Sequence, residues 1–104
     1  MIAPSYVALF MKIPLVHIHG GEITTGSIDN AFRHSITKMS NFHFVATEKA
    51  KSRVIQLGEN KKNIFNVGSL GVENIKKLNL LEKNKLEQKL KINFDRLCLV
   101  TFHP

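Results

Sequence analysis

Three short segments rich in apolar residues, Leu15–Ile18, Phe42–Ala46 and Ile64–Val67, are each followed by a helix-prone stretch. No other feature limits the fold as strongly. Short apolar segments bounded by turn residues suit strands buried on both faces. Strands that alternate with helices at this spacing build β-α-β units, so the chain is expected to be α/β with a parallel sheet. Its 104 residues suffice for one small domain.

The helical signals are specific. Residues 1–11 read as the end of a helix, which Pro14 stops because proline lacks a backbone donor. Ser27 is a candidate N-cap, after which Ile28, Ala31, Phe32, Ser35, Ile36 and Met39 recur on one face. Burial of its four larger side chains against the sheet is expected to stabilise by about 1.5–3 kcal/mol each before entropy. Asp29, Arg33 and Thr37 form a separate polar stripe, expected to point elsewhere. Thr47 caps the next helix, whose core positions are Ala50, Val54 and Leu57, and Gly58 ends it. A short helix is expected at 72–78 and another around Leu86 and Leu90. The run Leu97–Phe102 reads as a fourth strand that buries Cys98.

Composition narrows the function classes. The net charge of +7 raises the possibility of nucleic-acid binding. The lysines are scattered over helix surfaces, however, and no aromatic residues interleave with them as a stacking platform requires. A lysine-rich solvated surface is expected instead. There is no apolar run of membrane-spanning length and no charged segment ahead of an apolar leader, so neither a membrane span nor a signal peptide is expected. One cysteine cannot form an internal disulfide, and a cytoplasmic protein is the expectation.

Chemistry concentrates in His17-Ile18-His19-Gly20-Gly21-Glu22, at the end of the first expected strand. In open parallel sheets the strand ends border the ligand crevice. Glycines there let backbone approach a ligand closely, and histidine and glutamate move protons. Only one of His17 and His19 is expected to point into a given pocket. Their spacing also occurs in metal sites, but no further Cys/His cluster accompanies it and no metal is expected.

A second cluster follows in Asp29, Arg33 and His34. Asp29 suits the helix dipole or an acid–base role. Arg33 can pair with Asp29 one turn away, and His34 is a candidate donor to phosphate or sugar. Gly68–Gly71 is a weak anion-binding turn that matches no phosphate-loop pattern. His43 is expected to be structural, and His103, at the end of the fourth expected strand, is a ligand candidate.

Five ordered strings carry a resemblance: HIHGGE, IDNAFRHSITKMS, RVIQLGE, FNVGSLGVEN and the terminal VTFHP. Together they resemble the hydrolysing UDP-N-acetylglucosamine 2-epimerases of sialic-acid biosynthesis. They equally resemble the similar enzymes that act on UDP-N,N'-diacetylbacillosamine in legionaminic-acid biosynthesis. The match is thin only between Lys76 and Asp95.

The resemblance implies a two-domain fold of the glycosyltransferase-B type with the active site between Rossmann-like halves. Residues 1–78 would close the first half, and residues 79–104 would supply a linker helix and the first strand of the second. The implied reaction abstracts the proton at sugar C2, expels UDP from C1 and hydrates the resulting glycal. It requires no redox cofactor. The implied partner is a UDP-sugar, within a homo-oligomer. Relatives carry a catalytic glutamate at the third position of the first string, which here is His19. Proton work is thus expected of Glu22 or His19, with Asp29 matching the family's second carboxylate. His17, Gly20, Gly21, Arg33, His34 and His103 are the expected substrate-binding residues. A further catalytic aspartate is expected upstream, so the segment alone is expected to be inactive. The competing expectation is a truncated, non-catalytic UDP-binding module.

Overall fold

A computed structural model describes residues 2–102. Helix α1 (Ile2–Phe10) precedes strand β1 (Val16–Ile18), helix α2 (Asp29–Met39), strand β2 (Phe42–Val45) and helix α3 (Glu48–Gln56). A single 3-10 turn at Lys61–Asn63 leads into strand β3 (Ile64–Asn66), followed by helices α4 (Leu70–Lys77) and α5 (Lys83–Leu90). The strands form one parallel sheet in the order β1-β2-β3. Val16, His17 and Ile18 stand opposite Phe42, His43 and Phe44. His43, Phe44 and Val45 stand opposite Ile64, Phe65 and Asn66.

Local chemistry explains the boundaries. The Asp29 N–H donates to Ser27 Oγ at 3.1 Å, and the Ala50 N–H donates to Thr47 Oγ1 at 3.1 Å. Both helix starts therefore have a side-chain acceptor for a donor the helix leaves unpaired. At the other end of α3, Gly58 adopts φ 93° and its N–H donates to the Ile55 carbonyl at 2.9 Å.

Val45, Ala50, Val54 and Ile64 form the core between α3 and one face of the sheet. Full burial of Val45, Val54 and Ile64 stabilises this unit by about 1.5–3 kcal/mol for each. His43 belongs to the same face and is fully buried. The other face carries Val16, Ile18, Phe42 and Phe65, all exposed among the described residues, with Phe44 and Phe65 stacked at 5.2 Å.

Two expectations fail. The apolar stripe of α2 does not pack on the sheet: Ile28 is 72% and Phe32 44% exposed, whereas Thr37 is fully buried. Arg33 and Thr37 of the polar stripe turn inward, while Asp29 stays exposed, because the backbone after β1 and the His17 ring offer polar groups that need partners, which apolar side chains cannot supply. Leu97–Phe102 forms no strand either. Leu99, Val100 and Phe102 are 88%, 81% and 88% exposed, and Cys98 is exposed as well. An apolar run becomes a strand only when a neighbouring ladder accepts its backbone groups, and none of the described strands lies beside it. Helices α4 and α5 carry no buried residue. No helix among the described residues is long and apolar enough to cross a membrane.

Candidate active site

The turn after β1 is shaped by two left-handed backbone positions, His19 and Gly21. His19 adopts a left-handed φ of 62°, and its N–H donates to the Phe44 carbonyl at 2.8 Å. A left-handed conformation is costly for a residue with a side chain. Here the Nδ1 of His19 meets Glu22 Oε1 at 2.9 Å. A carboxylate only accepts, so Nδ1 carries the proton of this contact.

The glycines serve packing. A side chain on Gly20 would meet His17 Nδ1 at 3.0 Å and Thr37 Oγ1 at 3.4 Å. Gly21, at φ 76°, lies against the Ala50 carbonyl and the Val54 side chain, where a Cβ would not fit. The close approach expected for a ligand is thus taken up by α2 and α3.

His17 and His19 part company. His17 Nδ1 pairs with the buried Thr37 Oγ1 at 3.1 Å, and Thr37 Oγ1 in turn donates to the Arg33 carbonyl at 3.1 Å. Burial, reinforced by the nearby His43, Arg33 and His34, lowers the pKa of His17 to about 4. The ring is neutral at physiological pH. His17 lines a cleft of about 510 Å³ with Asp29, Arg33, Phe32, Ile36 and Ile18. His19 is not among the cleft residues, in keeping with the expectation that only one of the two histidines enters a given pocket.

Arg33 does not pair with Asp29. Its Nη1 donates to the Glu22 carbonyl at 3.0 Å and to Asn30 Oδ1 at 3.2 Å. It therefore ties the cleft to the His19–Glu22 turn. Asp29 is exposed at the cleft rim. His34 lines a different groove, with Tyr6, Lys38 and Leu57, and its buried Nδ1 has no hydrogen-bond partner among the described residues. His43 is structural, as expected: its Nε2 lies 3.4 Å from Glu59 Oε2, and Lys38 Nζ holds the other oxygen of Glu59 at 2.6 Å. His103 lies outside the described residues.

Residues that sequence reasoning passed over complete the site. Arg53 Nη1 donates to the Gly21 carbonyl at 2.9 Å. Asn30 closes the intervening loop, accepting from the Thr24 N–H at 2.9 Å and donating to the Thr24 carbonyl at 2.6 Å. A signal for Arg53 was present. It sits three residues after Ala50 and adjoins Val54, on the flank of the only buried face α3 has.

Fold and site together define an open parallel α/β protein with histidine and glutamate side chains gathered at the carboxyl end of its first strand. The chain belongs to the UDP-N-acetylglucosamine 2-epimerase family, whose model matches residues 1–104. It is 50% identical, over its whole length, to the GDP/UDP-N,N'-diacetylbacillosamine 2-epimerase (hydrolyzing) of Campylobacter jejuni. It is 39% identical, again over its whole length, to the UDP-N,N'-diacetylbacillosamine 2-epimerase (hydrolyzing) of Legionella pneumophila. The chain spans 27% and 28% of the lengths of these two relatives. The crystal structure of the Neisseria meningitidis UDP-GlcNAc 2-epimerase, bound to UDP-GlcNAc, shares the fold with a TM-score of 0.66 at 24% identity. That likeness covers 90% of this chain and 28% of the Neisseria chain.

Proposed function

We propose that the protein is a hydrolysing 2-epimerase of a UDP-linked 2-acetamido sugar. One observation supports this above the rest: the 2.9 Å contact between His19 Nδ1 and Glu22 Oε1 on a strained turn at a strand end. Strained backbone is kept where the surroundings enforce it, and it clusters at functional sites. The contact makes an imidazole whose free nitrogen accepts a proton while a carboxylate orients the ring. That is an acid–base unit, and it stands where relatives of this family carry a glutamate.

In the proposed reaction the base removes the proton at sugar C2. The electron pair forms the C1–C2 double bond as the C1–O bond breaks, and UDP leaves with the bonding pair. Water then adds across the glycal, hydroxyl to C1 and proton to C2 on the opposite face. The products are UDP and the free 2-epimerised sugar. His19 and Glu22 act as one proton-transfer unit. Asp29, at the cleft rim, serves as the second acid–base group. Of the expected substrate-binding residues, His17, Arg33 and His103 are proposed to contact the substrate, while Gly20 and Gly21 hold the turn against α2 and α3 and His34 faces another groove. Among them, the neutral His17 and the cationic Arg33 have the chemistry to meet sugar hydroxyls and a diphosphate.

Residues 1–78 are proposed to close a first Rossmann-like domain, and residues 79–104 to open a second across a glycosyltransferase-B-type cleft. The complete protein is proposed to work as a homo-oligomer in the cytoplasm. Two substrates fit the reading. UDP-N-acetylglucosamine would yield N-acetylmannosamine, a precursor for sialic-acid-type sugars. UDP-N,N'-diacetylbacillosamine is favoured by the names of the relatives at 50% and 39% identity. Supplying each sugar separately to the complete protein, and assaying released UDP with the sugar product, distinguishes the two. Release of UDP from neither would refute the reading.

A further inference from the structure

We infer that Arg53 is a positioning residue that fixes the direction of the Glu22 side chain, an inference that rests on the proton work proposed above. The Cα of Glu22 joins two peptide planes. The carbonyl of the first, Gly21 O, accepts from Arg53 Nη1 at 2.9 Å. The carbonyl of the second, Glu22 O, accepts from Arg33 Nη1 at 3.0 Å. A residue has only two soft backbone torsions, and each torsion of Glu22 turns one of these planes. Holding both planes fixes the Cα–Cβ direction before the carboxylate makes any contact. The carboxylate then completes its placement at His19 Nδ1.

The two guanidiniums suit this task. Each is planar, permanently charged and rigid, and its hydrogen bonds to a carbonyl are stronger than those of a neutral donor. Arg53 reaches across 32 residues of sequence to make its bond. A basic residue in the last turn of a helix ordinarily serves that helix's own carbonyl end. Arg53 is instead half-buried and directed at another element. Gly21 allows this geometry, because its missing side chain lets the turn lie directly on α3 at Ala50. Helix α3 thereby acts on the reaction although none of its side chains lines the cleft.

The test compares Arg53→Gln and Arg53→Lys with the unaltered complete protein, using the UDP-sugar it accepts. Because Arg53 sets geometry, Arg53→Gln should lower kcat by about 10- to 100-fold. KM should hardly change, since the substrate contacts remain. Arg53→Lys should recover part of the loss, as a point charge reaches one carbonyl without the planar fork. In both variants the imidazole nitrogen NMR shifts of His19 should drift from the Nδ1–H form toward a mixture of tautomers. Urea unfolding corrects each kcat for the folded fraction.

Unchanged kcat per folded molecule in both variants would overturn the inference. So would a rise in KM at constant kcat. If the unaltered protein turns over neither UDP-sugar, the functional reading fails instead. The His19 shifts then still decide the positioning: no drift in either variant would overturn it.

Discussion

His17 and His43 stand directly side by side across β1 and β2, on the face of the sheet that α2 and α3 cover. Burial, then His43, Arg33 and His34, lowers the pKa of His17 from 6.5 to about 4. Burial lowers His43 as well, against the opposing pull of Glu59. The unfolded chain therefore binds more protons than the folded one between about pH 6.5 and 4. Stability should be complete above that window and fall steadily as the pH drops through it. Urea midpoints measured across the window check this. His17→Asn should flatten the decline, and an unaltered slope in that variant would place the acid sensitivity elsewhere.

Gly21 and Gly26 share φ 76° but differ in surroundings. Nothing lies within 4 Å of the space a side chain would occupy at Gly26, whereas at Gly21 that space holds the Ala50 backbone and Val54 Cγ2. Gly26→Ala should cost only the backbone term, about 1–2 kcal/mol. Gly21→Ala should cost clearly more, because α3 must move away. Equal losses in chemical unfolding would mean that the turn and α3 are not in close contact.

Thr37 is fully buried, and its hydroxyl serves both His17 Nδ1 and the Arg33 carbonyl. Thr37→Val keeps the shape and strands a half-buried imidazole nitrogen, so it should destabilise by about 1–3 kcal/mol. Thr37→Ser keeps the hydroxyl and should lose less. The comparison is read from unfolding midpoints at neutral pH.

For the chemistry, Glu22→Gln, His19→Gln and Asp29→Asn in the complete protein should each lower turnover by about 100-fold or more, as expected when an acid or base is removed. Glu22→Gln and His19→Gln should combine non-additively, because the two side chains act through a single contact. Independent, multiplicative losses would separate their roles.

How legible the fold was depended on which physical signal each element offers. Apolar segments bounded by Pro14, Thr47 and Gly58 marked β1, β2 and α3 well, since turn and cap chemistry is local. The side of α2 that faces the protein was not legible. Its apolar stripe is the ordinary reason for a helix to dock, and only the three-dimensional turn reveals that Thr37 and Arg33 have polar partners there. Leu97–Phe102 misled for a related reason, because composition records apolarity and says nothing of a ladder partner. At the site, His19 and Glu22 stood out as a short string, three residues apart and so within reach of one another. Arg53 acts on Gly21 across the fold, a relationship that no spacing in the sequence announces.

The most direct test of the account follows the hydrogen at sugar C2. The complete protein, given UDP-N-acetylglucosamine or UDP-N,N'-diacetylbacillosamine in deuterated water, should release UDP and a free 2-epimerised sugar. That sugar should carry one solvent deuterium at C2, visible by proton NMR and mass spectrometry. UDP released beside a sugar of unchanged C2 configuration, or a product retaining its original C2 hydrogen, would contradict proton transfer at this site.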